Sequence, residues 1–374
     1  MKKLLFATCC IAFLSGSLGA AAQKKSAAKN VLTQTLNGKS WSADNGNGTF
    51  TNPLFYDEFS DPDIIRVGED YYLAGTTMHC VPGLVVLHSK DLVNWEFSSY
   101  CFDRLDDSDD FNLRNGKEAY GQGIWAPAIR YHNGMFYIFS NINGHGLQVY
   151  ISDSAKGPWT HYKVNGDIYD LSVLFDEDGK IYAVHKYGNV TVTELKPDLS
   201  GPVEGSSKVV IPEGNAMGEG HHVYKINGMY YILSADYSPM GRMQCARSKS
   251  IWGPYETCVI SERESYGYAA GWSVGNMGIG RPLPEDGFSF QNNKPNGLNL
   301  GCATIHQGGI VQAPDGKWWG VSMQDFNAVG RTVCLSPITW VDGWPYFGLE
   351  KNLGRSPRTW FKPNDMVKTP QAPY

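Results

Sequence analysis

A short hairpin signal recurs five times along the 374-residue chain, and it limits the possible folds more than any other feature. The copies are Gly68-Glu69-Asp70-Tyr71-Tyr72, Asn133-Gly134-Met135-Phe136-Tyr137, Asp178-Gly179-Lys180-Ile181-Tyr182, Asn227-Gly228-Met229-Tyr230-Tyr231 and Asp315-Gly316-Lys317-Trp318-Trp319. Asn-Gly or Asp-Gly between alternating runs is the strongest short-range hairpin signal, because both residues tolerate the positive φ of a type I′ turn. Sheet units repeated on a roughly 45-residue theme predict a radial array. Five copies predict an all-β, five-bladed β-propeller, in which residues from distant repeats meet around one central pocket.

The remaining sequence fits that frame. Residues 1–22 read as an export signal peptide: Lys2 and Lys3, an apolar stretch from Leu4 to Leu14, then small residues to Ala22. That stretch is too short to span a bilayer. The expected location is the periplasm or the extracellular space. Residues 23–52 read as a flexible N-terminal segment, 53–363 as the propeller and 364–374 as a tail. Loss of Lys2 and Lys3 with the leader takes the net charge from −5 to −7, which argues against nucleic-acid and anionic-membrane partners.

Six cysteines remain in the mature chain: Cys80, Cys101, Cys245, Cys258, Cys302 and Cys334. They show neither CxxC spacing nor a dense framework, so most read as small buried hydrophobes. Cys245 and Cys258 flank one hairpin and are the best candidate disulfide. Three further segments, containing Trp95, Trp159 and Trp252, read as an inner strand, a polar turn and an aromatic plug between blades. A Gly-, Asn- and Pro-rich insert over 262–300 reads as a loop overhanging one face. No helix of length is expected, and there is no phosphate loop, GxSxG or HExxH.

Three acids stand where acids are unexpected. Asp61 opens Ser60-Asp61-Pro62-Asp63-Ile64-Ile65, Asp170 opens Asp170-Leu171-Ser172-Val173-Leu174-Phe175, and Glu219 lies in Met217-Gly218-Glu219-Gly220-His221-His222. An Asp before Pro is ordinarily a turn former, and a Glu between glycines is ordinarily a solvated loop acid. Three at matching positions, each shortly upstream of a hairpin Gly, point instead to convergence on one pocket. Glycoside hydrolysis needs a protonated acid for the leaving oxygen and a carboxylate to activate water. A third carboxylate nearby raises the pKa of the acid.

These residues carry a resemblance. With Pro82-Gly83, His88-Ser89-Lys90-Asp91-Leu92-Val93-Asn94-Trp95 and Trp125-Ala126-Pro127, they resemble the family 43 glycoside hydrolases over about Pro53 to Pro363. That family consists of five-bladed propellers acting on arabinose- and xylose-containing glycans. The resemblance implies that Asp61 is the general base, Glu219 the general acid and Asp170 the residue that tunes and orients the acid, with inversion at the anomeric carbon. It further implies sugar contacts from Arg331, placed on the fifth blade's inner strand, and from Trp125, Gln307 and His222. The expected activity is exo-hydrolysis of terminal α-L-arabinofuranosyl or β-D-xylosyl residues from neutral plant cell-wall glycans. The alternative is a catalytically inactive glycan-binding propeller, which should lack one of the acids. A retaining fructan hydrolase is excluded by the absence of Asn-Asp-Pro-Asn-Gly and Arg-Asp-Pro boxes. Two departures stand out. Gln307 replaces a His frequent in relatives near a central metal or water, so no cofactor is expected to be required and a structural calcium is left open. The C-terminal β-sandwich of many relatives is also not expected here.

Overall fold

The computed structural model describes residues 42–363 apart from 106–107, 165, 167, 216, 238–239, 262–306, 326–330 and 355–358. A short strand β1 (Thr49–Thr51) precedes the blades. Blade one is β2 (Ser60–Val67), β3 (Asp70–Thr76), β4 (Gly83–Ser89) and β5 (Glu96–Phe102). Blade two is β6 (Ala128–His132), β7 (Met135–Ile142), β8 (Gly146–Ser152) and β9 (Thr160–Val164). Blade three is β10 (Ser172–Phe175), β11 (Ile181–His185), β12 (Val190–Leu195) and β13 (Lys208–Ile211). Blade four is β14 (Glu219–Ile226), β15 (Met229–Tyr237), β16 (Met240–Ser248) and β17 (Glu256–Val259). Blade five is β18 (Ile310–Gln312), β19 (Trp318–Asp325), β20 (Arg331–Val341) and β21 (Trp344–Phe347), and β22 (Thr359–Phe361) follows it. Each blade is a four-stranded antiparallel meander, so the chain is a five-bladed β-propeller. Strands β18, β2, β6, β10 and β14 pack side by side around the axis. Among the described residues the only helix is a three-residue 3-10 turn, Glu350–Asn352.

The five repeated hairpins join the first and second strands of each blade, but they use different turns. Asn133 and Gly134 have φ of 50° and 81°, and Asn227 and Gly228 have 51° and 77°, the type I′ pattern. At the Asp-Gly copies only the glycine is left-handed. There Gly179 N–H donates to Asp176 O and Asp176 N–H donates to Lys180 O, a type I turn closed by one left-handed residue. All five turns lie at the C-terminal ends of the inner strands, hence on the face remote from the N-terminal ends that carry the acids.

Packing between blades supplies the core. Five apolar clusters fill the five blade interfaces. Each sheet thus buries both faces, and the driving force is the area removed from water, about 25 cal/mol per Å² of apolar surface. The Trp-bearing segments close third-strand turns rather than inner strands: Ser89 Oγ accepts from Asp91 and Leu92 N–H, and Trp95 Nε1 donates to Leu92 O. Trp95, Trp159 and Trp252 do pack between blades.

Ring closure uses the N-terminal segment. Strand β1 pairs with β22, and Asn52 exchanges side-chain hydrogen bonds with the backbone of Leu335 on β20. Leu54 and Phe59 N–H donate to Val333 and Arg331 carbonyls. Phe50 is fully buried in the interface of blades five and one. Ala43–Asn52, expected to be flexible, is therefore packed, because it covers apolar surface that blade five would otherwise expose.

Cys245 and Cys258 are direct cross-strand partners, yet both thiols are free. Directly opposed residues place their Cβ atoms about 4.5–5.5 Å apart, wider than the ~3.8 Å typical of a disulfide. The Cys258 thiol instead meets the Tyr346 hydroxyl at 3.2 Å. Cys302 and the 262–300 insert lie outside the described residues.

Candidate active site

The inner strands of blades one and four both begin with a bulge. In blade one Ser60 pairs with Thr76 and Asp63 with Ala74, and in blade four Glu219 pairs with Ala235 and His222 with Leu233. Three residues therefore oppose two. The same spacing holds in blade three, where Tyr169 O accepts from Lys186 N–H while Ser172 pairs with Val184. It holds again in blade two, where Trp125 N–H donates to Asn141 O and Ala128 pairs with Phe139. In blades one, three and four the extra residue is pushed into the left-handed region, with φ of 53° at Asp61, 55° at Asp170 and 65° at Gly220. In blade five Gln307 is left-handed too, at 46°, but without a register shift, as Gln307 O accepts from Met323 N–H and Gly309 O from Val321 N–H. A bulge re-aims side chains at a sheet end, and here it aims them at the axis.

Those bulges build the pocket. Asp61 and Asp170 come from the bulged position itself, Trp125, Tyr169 and Glu219 from the residue before it, and Gln307 from the matching left-handed position of blade five. With Met78, Gly121 and Arg331 they line one open pocket of about 230 Å³. Asp61, Asp170 and Glu219 thus converge, but they are not equivalent in the repeat. Glu219 stands one residue ahead of the two aspartates, and Gly220 takes the aspartate position. A Cβ at Gly220 would lie 2.4 Å from Gln307 Cγ, so that position cannot carry an acid without displacing the Gln307 side chain.

The acids are held from several sides. Arg331 Nη1 donates to Asp61 Oδ1 at 3.1 Å. Arg331 stands at the start of β20, the third strand of blade five and not its inner strand. It reaches the pocket because Glu58 binds both strand ends: Arg331 N–H and the Ser60 hydroxyl donate to its carboxylate. Asp170 Oδ2 accepts from Gly220 N–H at 2.7 Å. Burial, reinforced by the charges of Glu219 and Asp61, pushes the Asp170 carboxyl well above the usual range. Like charges in one small pocket cannot all ionise at little cost, so the cluster retains protons to higher pH than separate carboxylates would.

Tyr169 was not singled out from sequence. Its hydroxyl donates to Glu219 Oε2, and its ring meets Trp125 edge-on at 5.7 Å. The signal was present: Trp125, Tyr169 and Glu219 each precede the bulged residue of their blade, which becomes visible once the register is known.

His222 does not line the pocket. It sits one layer down, among the residues two places beyond the bulges, Asp63, Ala128, Ser172 and His222, with Gly309 two places beyond Gln307. Asp63 is fully buried there. Its Oδ1 meets His222 Nδ1 at 3.0 Å and accepts from Ile64 N–H at 2.9 Å. Its Oδ2 accepts from Arg130 Nη1 at 2.5 Å and from Ile129 N–H at 3.0 Å. Arg130 also donates to Ser172 Oγ, which accepts from Val223 N–H. Burial alone would raise the Asp63 carboxyl, but Arg130 and His222 hold it down at about 2. Gly309 completes the layer because a Cβ there would lie 2.6 Å from the Tyr224 hydroxyl and 3.1 Å from Asp63 Oδ1. This polar plug ties blades one to four together beneath the pocket.

Comparison with known proteins fits this geometry. Residues 50–267 match the Glycosyl hydrolases family 43 model. A putative beta-xylosidase of Xylanibacter ruminicola is 31% identical over 88% of this chain and 57% of its own length. A non-reducing end alpha-L-arabinofuranosidase of Bacteroides ovatus, BoGH43B, is 34% identical over 80% of this chain and 54% of its own. Among solved structures, a bifunctional GH43-CE protein of Bacteroides eggerthii superposes with a TM-score of 0.69 at 33% identity, covering 84% of this chain and 37% of that one. The chain belongs to Glycosyl hydrolases family 43. It spans about half the length of the curated relatives it matches.

Proposed function

We propose that the chain is an inverting exo-glycosidase that removes terminal α-L-arabinofuranosyl or β-D-xylosyl residues from arabinose- and xylose-containing glycans. The observation that carries this reading is the meeting of Asp61, Asp170 and Glu219 in one pocket that Trp125 and Tyr169 wall in part. The pocket is smaller than the ~300–1,000 Å³ that takes drug-sized ligands, which suits a single terminal sugar. The names of the relatives supply the sugar class. Glu219 protonates the glycosidic oxygen as the bond to the anomeric carbon breaks. Asp61 takes a proton from the water that adds to the opposite face, and Arg331 favours its ionised form. Asp170 keeps the cluster's proton within reach of Glu219.

No metal has a part in these steps. The buried carboxylate of the layer beneath the pocket is Asp63, and both its oxygens are already taken by Arg130, His222 and backbone N–H groups. Two partners that are cationic or can become so leave little for calcium, which takes about 6–8 oxygens. Residues 1–22 are read as an export leader, which would bring the enzyme to its polymeric substrate outside the cytoplasm.

Proton NMR of aryl α-L-arabinofuranoside and aryl β-D-xyloside hydrolysis tests the reading. Inversion predicts that the first-formed xylose from the β-xyloside is the α-anomer. First-formed β-xylose would overturn inversion. Binding of the corresponding oligosaccharides without hydrolysis would establish the inactive binding propeller instead.

A further inference from the structure

We propose that Tyr169 is a positioning residue for the general acid, acting through a reciprocal clasp between blades three and four. The inference rests on Glu219 being the acid. Two consecutive residues of one blade grip two consecutive residues of the next: the Tyr169 hydroxyl donates to Glu219 Oε2, and Gly220 N–H donates to Asp170 Oδ2. The grips run in opposite directions, side chain to side chain and backbone to side chain. Together they fix both ends of the glutamate, its backbone at the bulge and its carboxyl at the tip.

The clasp has a chemical consequence. A carboxyl oxygen that accepts a hydrogen bond is a poor place for its own proton, so the proton delivered to the glycosidic oxygen belongs on Oε1. Burial, with the neighbouring charges of Asp170 and Glu219, pushes the Tyr169 hydroxyl far above its ordinary range, so it remains a donor at every working pH. Among the charged groups that line the pocket with Glu219, Asp170 and Asp61 favour its protonated form and Arg331 opposes them. Tyr169 also opposes them, because donation to a carboxylate favours the ionised form. Tyr169 thereby sets the upper edge of the working pH range as well as the direction of the acid. Its ring is steadied by Trp125, so the clasp reaches into blade two.

The test is Tyr169→Phe, which keeps the ring and removes the hydroxyl. On unactivated disaccharides kcat should fall about 10–100-fold, the range of a misplaced general acid, with KM changed less than about 3-fold. On 4-nitrophenyl glycosides the loss should be clearly smaller. The basic limb of kcat/KM should move up by about one pH unit, the order expected for losing one hydrogen bond to a charged group. In a Glu219→Gln background, Tyr169→Phe should have little further effect on unactivated disaccharides, since residues acting as a unit are not additive. An unmoved basic limb, or equal kcat losses on both substrate types, would overturn the inference. If the phenylalanine variant unfolds, Tyr169→His, which retains a ring donor, should recover part of the disaccharide activity; complete loss there also overturns it. The underlying reading fails separately, if Glu219→Gln hydrolyses unactivated disaccharides as well as the parent does.

Discussion

Asp63 and Asp170 are both buried carboxyls near the N-terminal ends of inner strands, and their surroundings drive them in opposite directions. Asp63 meets Arg130 and His222 and is held at about 2. Asp170, one layer up in blade three, meets Glu219 and Asp61 and is pushed well above the usual range. Burial is common to both, so the sign of the neighbours decides. The lower layer is a satisfied plug that joins blades, and the upper layer is a strained cluster ready to exchange a proton. Two residues along each inner strand separate the two layers.

The sharpest way to break the comparison is to remove charge from the upper layer. Asp61→Asn should lower kcat about 10²–10⁴-fold on both activated and unactivated substrates, because every turnover needs water activation. Glu219→Gln should lose as much on unactivated disaccharides but far less on 4-nitrophenyl glycosides, whose leaving group needs little protonation. Steady-state kinetics on the two substrate types checks both, and equal losses for Glu219→Gln would remove it from the role of acid.

The lower layer should respond in stability. Asp63→Asn leaves Arg130 buried without its counter-charge, which costs about 3–5 kcal/mol, or on the order of 10 °C in Tm. The pH dependence follows from the depressed carboxyl. Its contribution is complete above the unfolded value near 4 and is lost as pH falls towards about 2. Thermal scans between pH 5 and 2 should show that loss in the parent and less of it in the variant. A variant as stable as the parent would mean that the plug does not hold the blades.

Asp170→Asn should do the reverse. A carboxyl raised in the folded state costs stability that grows as pH rises above about 4. The amide removes that cost and can still accept from Gly220 N–H. Tm at neutral pH should rise by a few °C and the gain should vanish near pH 3, while kcat falls about 10-fold or more. Destabilisation at neutral pH would show that the like-charge strain is not real.

The sequence made the upper layer largely legible and the lower one not. Asp61, Asp170 and Glu219 stand out because three acids recur at similar places in the repeat, where any one alone reads as a turn former or a solvated loop acid. Their one-residue offset does not, because a bulge inserts a residue without changing residue type or spacing in any readable way. Asp63 does not stand out in its motif, since an Asp in an alternating strand looks like an ordinary outward position. Arg130, two residues further along its inner strand than Ala128, is the cue: a base in the adjacent inner strand whose guanidinium reaches back to Asp63. His222 went to the wrong layer for the same reason, as its neighbour Glu219 faces the pocket and it does not. Arg331 was placed on an inner strand because its turn-to-strand context gives no strand count. Trp125 and Gln307 line the pocket.

The smallest expected effect concerns a metal, and it sharpens the contrast between the layers. A cation on the axis would sit between Gln307 and Asp63, where the upper layer could offer an amide oxygen and the lower layer a carboxylate. Arg130 already supplies the positive charge at that depth, and its guanidinium also bonds Ser172. A calcium would have to displace these hydrogen bonds or share a carboxylate whose oxygens are engaged. Prolonged chelator treatment should therefore leave kcat within about 2-fold of the parent, and Tm should fall by at most a few °C if an ion contributes structurally. Measuring both together separates the roles. Loss of turnover that only added metal restores would show that a cation takes part in the chemistry, and the axial layer would then have to be reassigned from plug to ligand set.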